Sequence, residues 1–147
     1  MRLTTKCRYG TRAMVELGMA YGQGPIHLSH IAEQQKISAK YLVHLLASLN
    51  AAGLVKTVRG ARGGYLLDRP PSEVKLIDIY RVLEGTTSPV DCVDDPKTCP
   101  ESRLCVARGV WARIADAIKN VLESTTLQEL VDQRKEREEA SKAMYHI

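Results

Sequence analysis

The sequence predicts a mostly α-helical protein with one small β-hairpin, a winged helix-turn-helix that runs into a long helix suited to dimerisation. Three observations carry this. Leu42, Leu45, Leu46 and Leu49 fall at i, i+3, i+4 and i+7, which makes one apolar stripe on a third helix. Two short apolar strands, 54–58 and 65–67, enclose the basic turn Arg59-Gly60-Ala61-Arg62-Gly63-Gly64, the pattern of a hairpin. Beyond Cys105, Val106, Val110, Ile114, Ala117 and Val121 form a second stripe, broadened by Trp111, Ile118 and Leu122. That stripe is more apolar than one small domain readily covers, so a partner copy is expected on it.

The elements follow in order. Residues 5–21 read as a helix, with Tyr9, Ala13 and Leu17 stepping by four and Met14 and Tyr21 on the same side. Gly22, Gly24 and Pro25 end it. A second helix, 28–35, turns Ile31 and Ala32 inward. Lys36-Ile37-Ser38 is a tight turn, and Ser38 caps the third helix, 39–52, which Gly53 closes. Pro70-Pro71 stops the hairpin, and 76–84 is a short helix closed by Gly85. Residues 86–104 hold Pro89, Pro96, Pro100 and four acids and are expected to be irregular. The long helix starts at Cys105, and Thr126-x-x-Glu129 is a capping box for a last helix. The charged tail from Arg134 is expected to fray. The organisation is therefore 1–85 for the winged helix-turn-helix, 86–105 for a cysteine loop, 106–133 for dimerisation and 134–147 for the tail.

Composition narrows the class. With 147 residues, no Phe and one Trp, the chain has room for one aliphatic core. The longest uncharged run, 17–32, is broken by Gly22, Gly24, Pro25, two histidines and Ser29 and could not span a bilayer. No apolar stretch follows the first basic residues, so no secretory signal is visible and the expected location is the cytoplasm. The charge is divided. Residues 1–69 carry ten Lys/Arg against three acids, a net +7, and residues 70–147 carry eleven against fourteen, a net −3. A basic half favours a polyanionic partner, although basic surfaces are often only solvated.

The order of the elements makes the first half a candidate for double-stranded DNA. The leucine stripe buries one face of the third helix and leaves Lys40, Val43, His44 and Ser48 free to enter a major groove, with Tyr41 beside them. Ser38, at the helix N-terminus, is placed to bond a phosphate. Val43 is an apolar contact suited to a thymine methyl. Arg59 and Arg62 on the hairpin tip suit phosphates or a narrow minor groove. The bland alternative is a three-helix packing unit with a solvated charged loop. His27 and His30 read as capping or surface groups, and His146 lies in the tail.

Cys92, Cys99 and Cys105 fall within fourteen residues. Thiolates suit iron–sulfur clusters, zinc and copper(I). Gaps of six and five residues do not match the paired spacing of structural zinc, and they let three sulfurs converge on a larger object. A redox thiol switch and three unliganded thiols stay open beside a cluster. No nucleophile–base arrangement, carboxylate pair or phosphate-cradling loop is evident, and the glycines near Arg62 lie between strands, so an enzyme is not expected. A cluster-carrying electron-transfer protein is the rival from another class.

Several segments resemble the IscR/NsrR/RirA family of bacterial winged-helix regulators, the Rrf-two family. They are Met1-Arg2-Leu3-Thr4, the block from Ser38 to Leu54 with Tyr41-Leu42, and Val58-Arg59-Gly60 running to Gly63-Gly64-Tyr65-Leu66. The three loop cysteines, Trp111 and Thr126-Leu127-x-Glu129-Leu130-Val131 extend the likeness to about residue 133. The resemblance implies a homodimer crossed by the long helices, with Val106, Val110, Trp111, Ile114, Ile118 and Val121 at the interface. It also implies an operator read by two third helices and two wings, and an iron–sulfur cluster on Cys92, Cys99 and Cys105, 2Fe-2S favoured over 4Fe-4S. The expected role is control of iron–sulfur cluster biogenesis, with a nitric-oxide- or iron-responsive repressor as the alternative. The fourth ligand departs from the family pattern. Arg108 stands where IscR-type members have histidine, and Arg8 where others present an acid from the partner's first helix. Cys7, next to Arg8, is a candidate fourth ligand or a packed small residue.

Overall fold

A computed structural model describes residues 2–146. Helix α1 (Thr5–Met19) begins where the Thr4 side chain accepts from the Cys7 N–H. It ends two residues earlier than the periodicity suggests, because the chain tightens at Tyr21 and leaves through Gly22 at φ +83°. Helices α2 (Leu28–Gln35) and α3 (Ala39–Ala51) are joined by a turn in which Lys36 adopts the left-handed conformation, φ 53°. Strands β1 (Val55–Val58) and β2 (Gly64–Leu67) pair antiparallel, Val55 opposite Leu67 and Val58 opposite Gly64. Ile26 bridges to Tyr65 on the open side of β2, with both amide hydrogen bonds at 2.8 Å. That bridge explains Gly64: a Cβ there would stand 2.1 Å from the Ile26 carbonyl oxygen.

The core is aliphatic as composition requires. Met14, Leu17, Ile31, Leu42, Leu45, Leu46, Leu49 and Ile79 are fully buried, so the α3 stripe closes against α1, α2 and α4 (Leu76–Leu83). The fold is a mostly helical winged helix with a two-stranded wing. Helix α6 (Val106–Ser124) then leaves the core, and α7 (Leu127–Met144) returns to lie on α1. A bridge between Lys75 and Thr126 pins the turn between them, with Leu127 N–H on the Val74 carbonyl at 2.8 Å. No helix among the described residues is long and apolar enough to cross a membrane.

Two expectations are corrected. The tail does not fray at Arg134, because α7 is helical to Met144. Its capping box closes as expected, Arg134 pairs with Glu138 at 2.6 Å, and Arg134 also stands 3.9 Å from the buried Glu16. The cysteine segment is also more ordered than three prolines and four acids imply. It contains the single helical turn α5 (Asp91–Asp94) and 3-10 turns at Pro96–Thr98 and Pro100–Arg103. Proline at the first position of each 3-10 turn starts it rather than breaking it.

Candidate nucleic-acid interface and cysteine site

The α3 face opposite the leucine stripe is open. Ser38 caps the helix by accepting from the Tyr41 N–H at 3.3 Å, and Lys40, Val43, His44 and Ser48 are exposed. Ser48 donates to the His44 carbonyl, so part of its bonding capacity is already used within the helix. Tyr41 is half-buried, edge-on to Tyr9 at 6.2 Å between ring centroids, and so presents an edge rather than a free ring. On the wing, Arg59 and Arg62 are exposed at the tip, whereas Lys56 is held by Asp68 at 2.9 Å. Lys36, a further basic residue, is exposed in the turn before Ser38 at a left-handed backbone position, φ 53°. His27 caps α2 through its ring nitrogen, which fits a structural role.

The three loop cysteines occupy three different settings. Cys92 lies in α5, Cys99 joins the two 3-10 turns, and Cys105 is the exposed residue before α6. All are free thiols. Two anchors hold the segment. Asp94 accepts from the Ser88 hydroxyl and from the Thr86 hydroxyl at 2.6 Å, and these bonds lower its carboxyl from the ordinary value. Arg108 donates through Nε to the Cys92 carbonyl at 2.7 Å, so it clamps the loop to α6.

The donor chemistry suits a cluster, since three thiols are available within one short segment. Their arrangement in a single protomer does not yet make a site. Among the described residues, no three His, Cys, Asp or Glu side chains stand close enough to hold a metal ion. Cys7 is set apart from them, 5 % exposed within the core, and burial and then the Glu84 charge push its thiol up from the ordinary value. A buried thiol held in its neutral form is a packing residue in this protomer.

The α6 stripe divides. Val106, Val110, Trp111 and Val121 are exposed, the first at 91 %, while Ile114 and Ile118 are half-buried and Ala115 faces the core. Leu104 extends the exposed row at 85 %. Beside it, α1, α4 and α6 enclose an apolar groove of about 760 Å³ containing Leu3, Tyr80, Ile118 and Val121, with Arg2, Arg8 and Arg12 among its walls.

A family model described as an iron-dependent transcriptional regulator, Rrf2, matches residues 3–133. The chain belongs to the Rrf2 family. Its likeness to the regulator CymR of Bacillus subtilis is 45 % identity over 130 residues, covering 88 % of this chain and 89 % of that one. The solved structure of CymR, titled the global cysteine regulator of B. subtilis, superposes with a TM-score of 0.76 at 43 % identity, over 90 % of this chain and 98 % of that one. The IscR structure from T. potens superposes with a TM-score of 0.77 at 40 % identity, over 93 % and 90 %. These Rrf2 relatives are transcriptional regulators rather than enzymes, and so is this chain. The likeness thus spans relatives named for cysteine regulation and relatives named IscR.

Proposed function

We propose that this Rrf2 regulator works as a homodimer on double-stranded DNA and that the segment 92–105 is its sensor. The observation that carries the reading is the two-sided α3, whose leucines are all buried while Lys40, Val43, His44 and Ser48 face out beside the exposed Arg59 and Arg62. Such a helix is held rigidly by its core face and offers donors and one methyl-bearing contact to base edges. The exposed row on α6 and the adjoining groove are continuous, and a second copy's α6 is the occupant that supplies matching apolar side chains. Replacing Arg59 with alanine is expected to weaken operator binding about tenfold in a gel-shift titration. Unchanged affinity would remove the wing tip from the interface.

For the sensor, the favoured reading is an iron–sulfur cluster held by Cys92, Cys99 and Cys105, with control of cluster assembly as the role and nitric oxide or iron as the alternative signal. When bound, a cluster supplies bonds that iron supply, oxidants and nitric oxide all alter. The chain's own part is mechanical. Arg108 ties the segment to α6 and Asp94 ties it to Thr86 and Ser88 in the loop after α4, so a change at the cysteines is felt by the helix expected to join the two protomers. A second reading, a metal-free thiol switch, is favoured by the likeness to CymR, whose solved structure is titled the global cysteine regulator of B. subtilis. Native mass spectrometry on protein isolated without oxygen decides between them. A dimer carrying iron and sulfide is expected. A dimer still metal-free after anaerobic reconstitution would leave the thiol switch, and a monomer would remove the dimer from both.

A further inference from the structure

A second cavity, of about 340 Å³, lies between α1, the end of α2 and α7, and shares Thr11 and Arg12 with the groove beside α6. Its walls carry three guanidinium groups, Arg12, Arg134 and Arg137, together with the Gln133 amide, over an apolar floor of Val15 and Leu130. No carboxylate is among the residues that line it. Arg134 is paired with two nearby acids. Glu138 accepts from its Nε at 2.6 Å, and the largely buried Glu16 lies 3.9 Å from its Nη2. Arg12 is held in place by stacking over Tyr9 at 5.4 Å and by Gln35, to whose side-chain oxygen it donates at 2.8 Å. Among the described residues neither Arg12 nor Arg137 has a carboxylate partner within ion-pair distance. A concave, partly apolar site lined by three guanidinium groups, two of them without a carboxylate partner among the described residues, has the chemistry that recognises a small anion.

The same network reaches the turn before α3. Arg12 also donates to the Gln35 backbone carbonyl at 2.6 Å, and the buried Gln35 amide donates to Glu16. Gln35 is the last residue of α2, one step before the left-handed Lys36. Any group that pulls Arg12 or Arg134 toward the cavity therefore loads the bonds that set the entry into α3.

We propose that this cavity binds a small oxyanion, a carboxylate or phosphate on a low-molecular-weight molecule, and that its occupancy shifts the α2–α3 turn. Both parts stand independently of whether α3 reads DNA. The test is an NMR titration of the isotope-labelled full chain with inorganic phosphate and, separately, with succinate, at constant ionic strength. The Arg12 and Arg137 Nε–H signals and the backbone amides of Lys36 and Ile37 are expected to move along one saturable isotherm with at least one of the two anions. Gln133→Glu, at an exposed helical position, places a carboxylate in the cavity and should weaken that isotherm by about tenfold or more. The folded spectrum of the variant serves as its control. Operator affinity of the anion-free variant should equal that of the parent. Linear, non-saturating shifts, or an isotherm indifferent to Gln133→Glu, would overturn the proposal. So would lost operator affinity in the anion-free variant, which would assign the cavity to a DNA backbone phosphate.

Discussion

Four cysteines in one chain differ most in what surrounds each sulfur. Cys7 is enclosed by the core, with burial and the Glu84 carboxylate both opposing thiolate formation, whereas Cys105 stands exposed at the start of α6. Reactivity follows thiolate access rather than residue type. Timed alkylation of the native protein, read by intact mass and peptide mapping, should therefore modify Cys105 early and Cys7 last. Early labelling of Cys7 would show that α1 opens and would restore it as a reachable ligand. Glu84 does more than bias that thiol. It accepts from the backbone N–H of Thr4 at 2.9 Å and from the Thr4 hydroxyl, joining the start of α1 to the end of α4. One carboxylate thus supports the cap of the first helix and adds to the burial that raises the nearby thiol.

At the scale of elements, the segment 86–105 depends on a few polar anchors rather than on a core of its own. Within α5 and the two 3-10 turns, Ser102 is the buried residue, and its hydroxyl donates to the Pro96 carbonyl at 2.7 Å. Asp94 and its two hydroxyl donors, Thr86 and Ser88, brace the segment internally, and Arg108 anchors it to α6. Segments with few buried apolar contacts open locally at low cost. Asp94→Ala is expected to speed amide hydrogen exchange across 91–95 several-fold while leaving exchange in α3 unchanged. Equal protection in the variant would show that Arg108 and the turns hold the segment without it. α6 behaves differently, since its half-buried side packs on α4 and its exposed row has no cover within the protomer.

Across the whole molecule, the return of α7 onto α1 joins the two ends of the chain. Leu127 is fully buried and Val131 nearly so, and the Gly18 position makes room for Val131, whose Cγ2 would lie 2.6 Å from a Cβ there. Leu127→Ala should cost about 2–5 kcal/mol of unfolding free energy by urea denaturation, the range for emptying a packed leucine site. A loss below about 1 kcal/mol, half the bottom of that range, would mean that α7 docks without supporting the core. The closure also creates the arginine-lined cavity, which needs α1, α2 and α7 at once.

Local pattern alone determined the elements and the wing. The α3 leucine stripe, the Ser38 cap, the Gly-rich hairpin and the Thr126–Glu129 capping box were all legible because each rests on spacing within a few residues. The exposed α3 face followed from the same stripe, since one side of a helix must face out when the other is filled. Distance along the chain hid the rest. Only the fold brings Arg134 to Glu16, Thr4 to Glu84 and Arg108 to Cys92, pairs that no periodicity connects. Propensity likewise misjudged the tail, because side-chain pairs and a buried carboxylate extend α7 where charge density suggested fraying. The cysteine spacing named the donors, but convergence of sulfurs is a property of three-dimensional placement. Among the described residues of one protomer, no three His, Cys, Asp or Glu side chains form a group able to hold a metal ion.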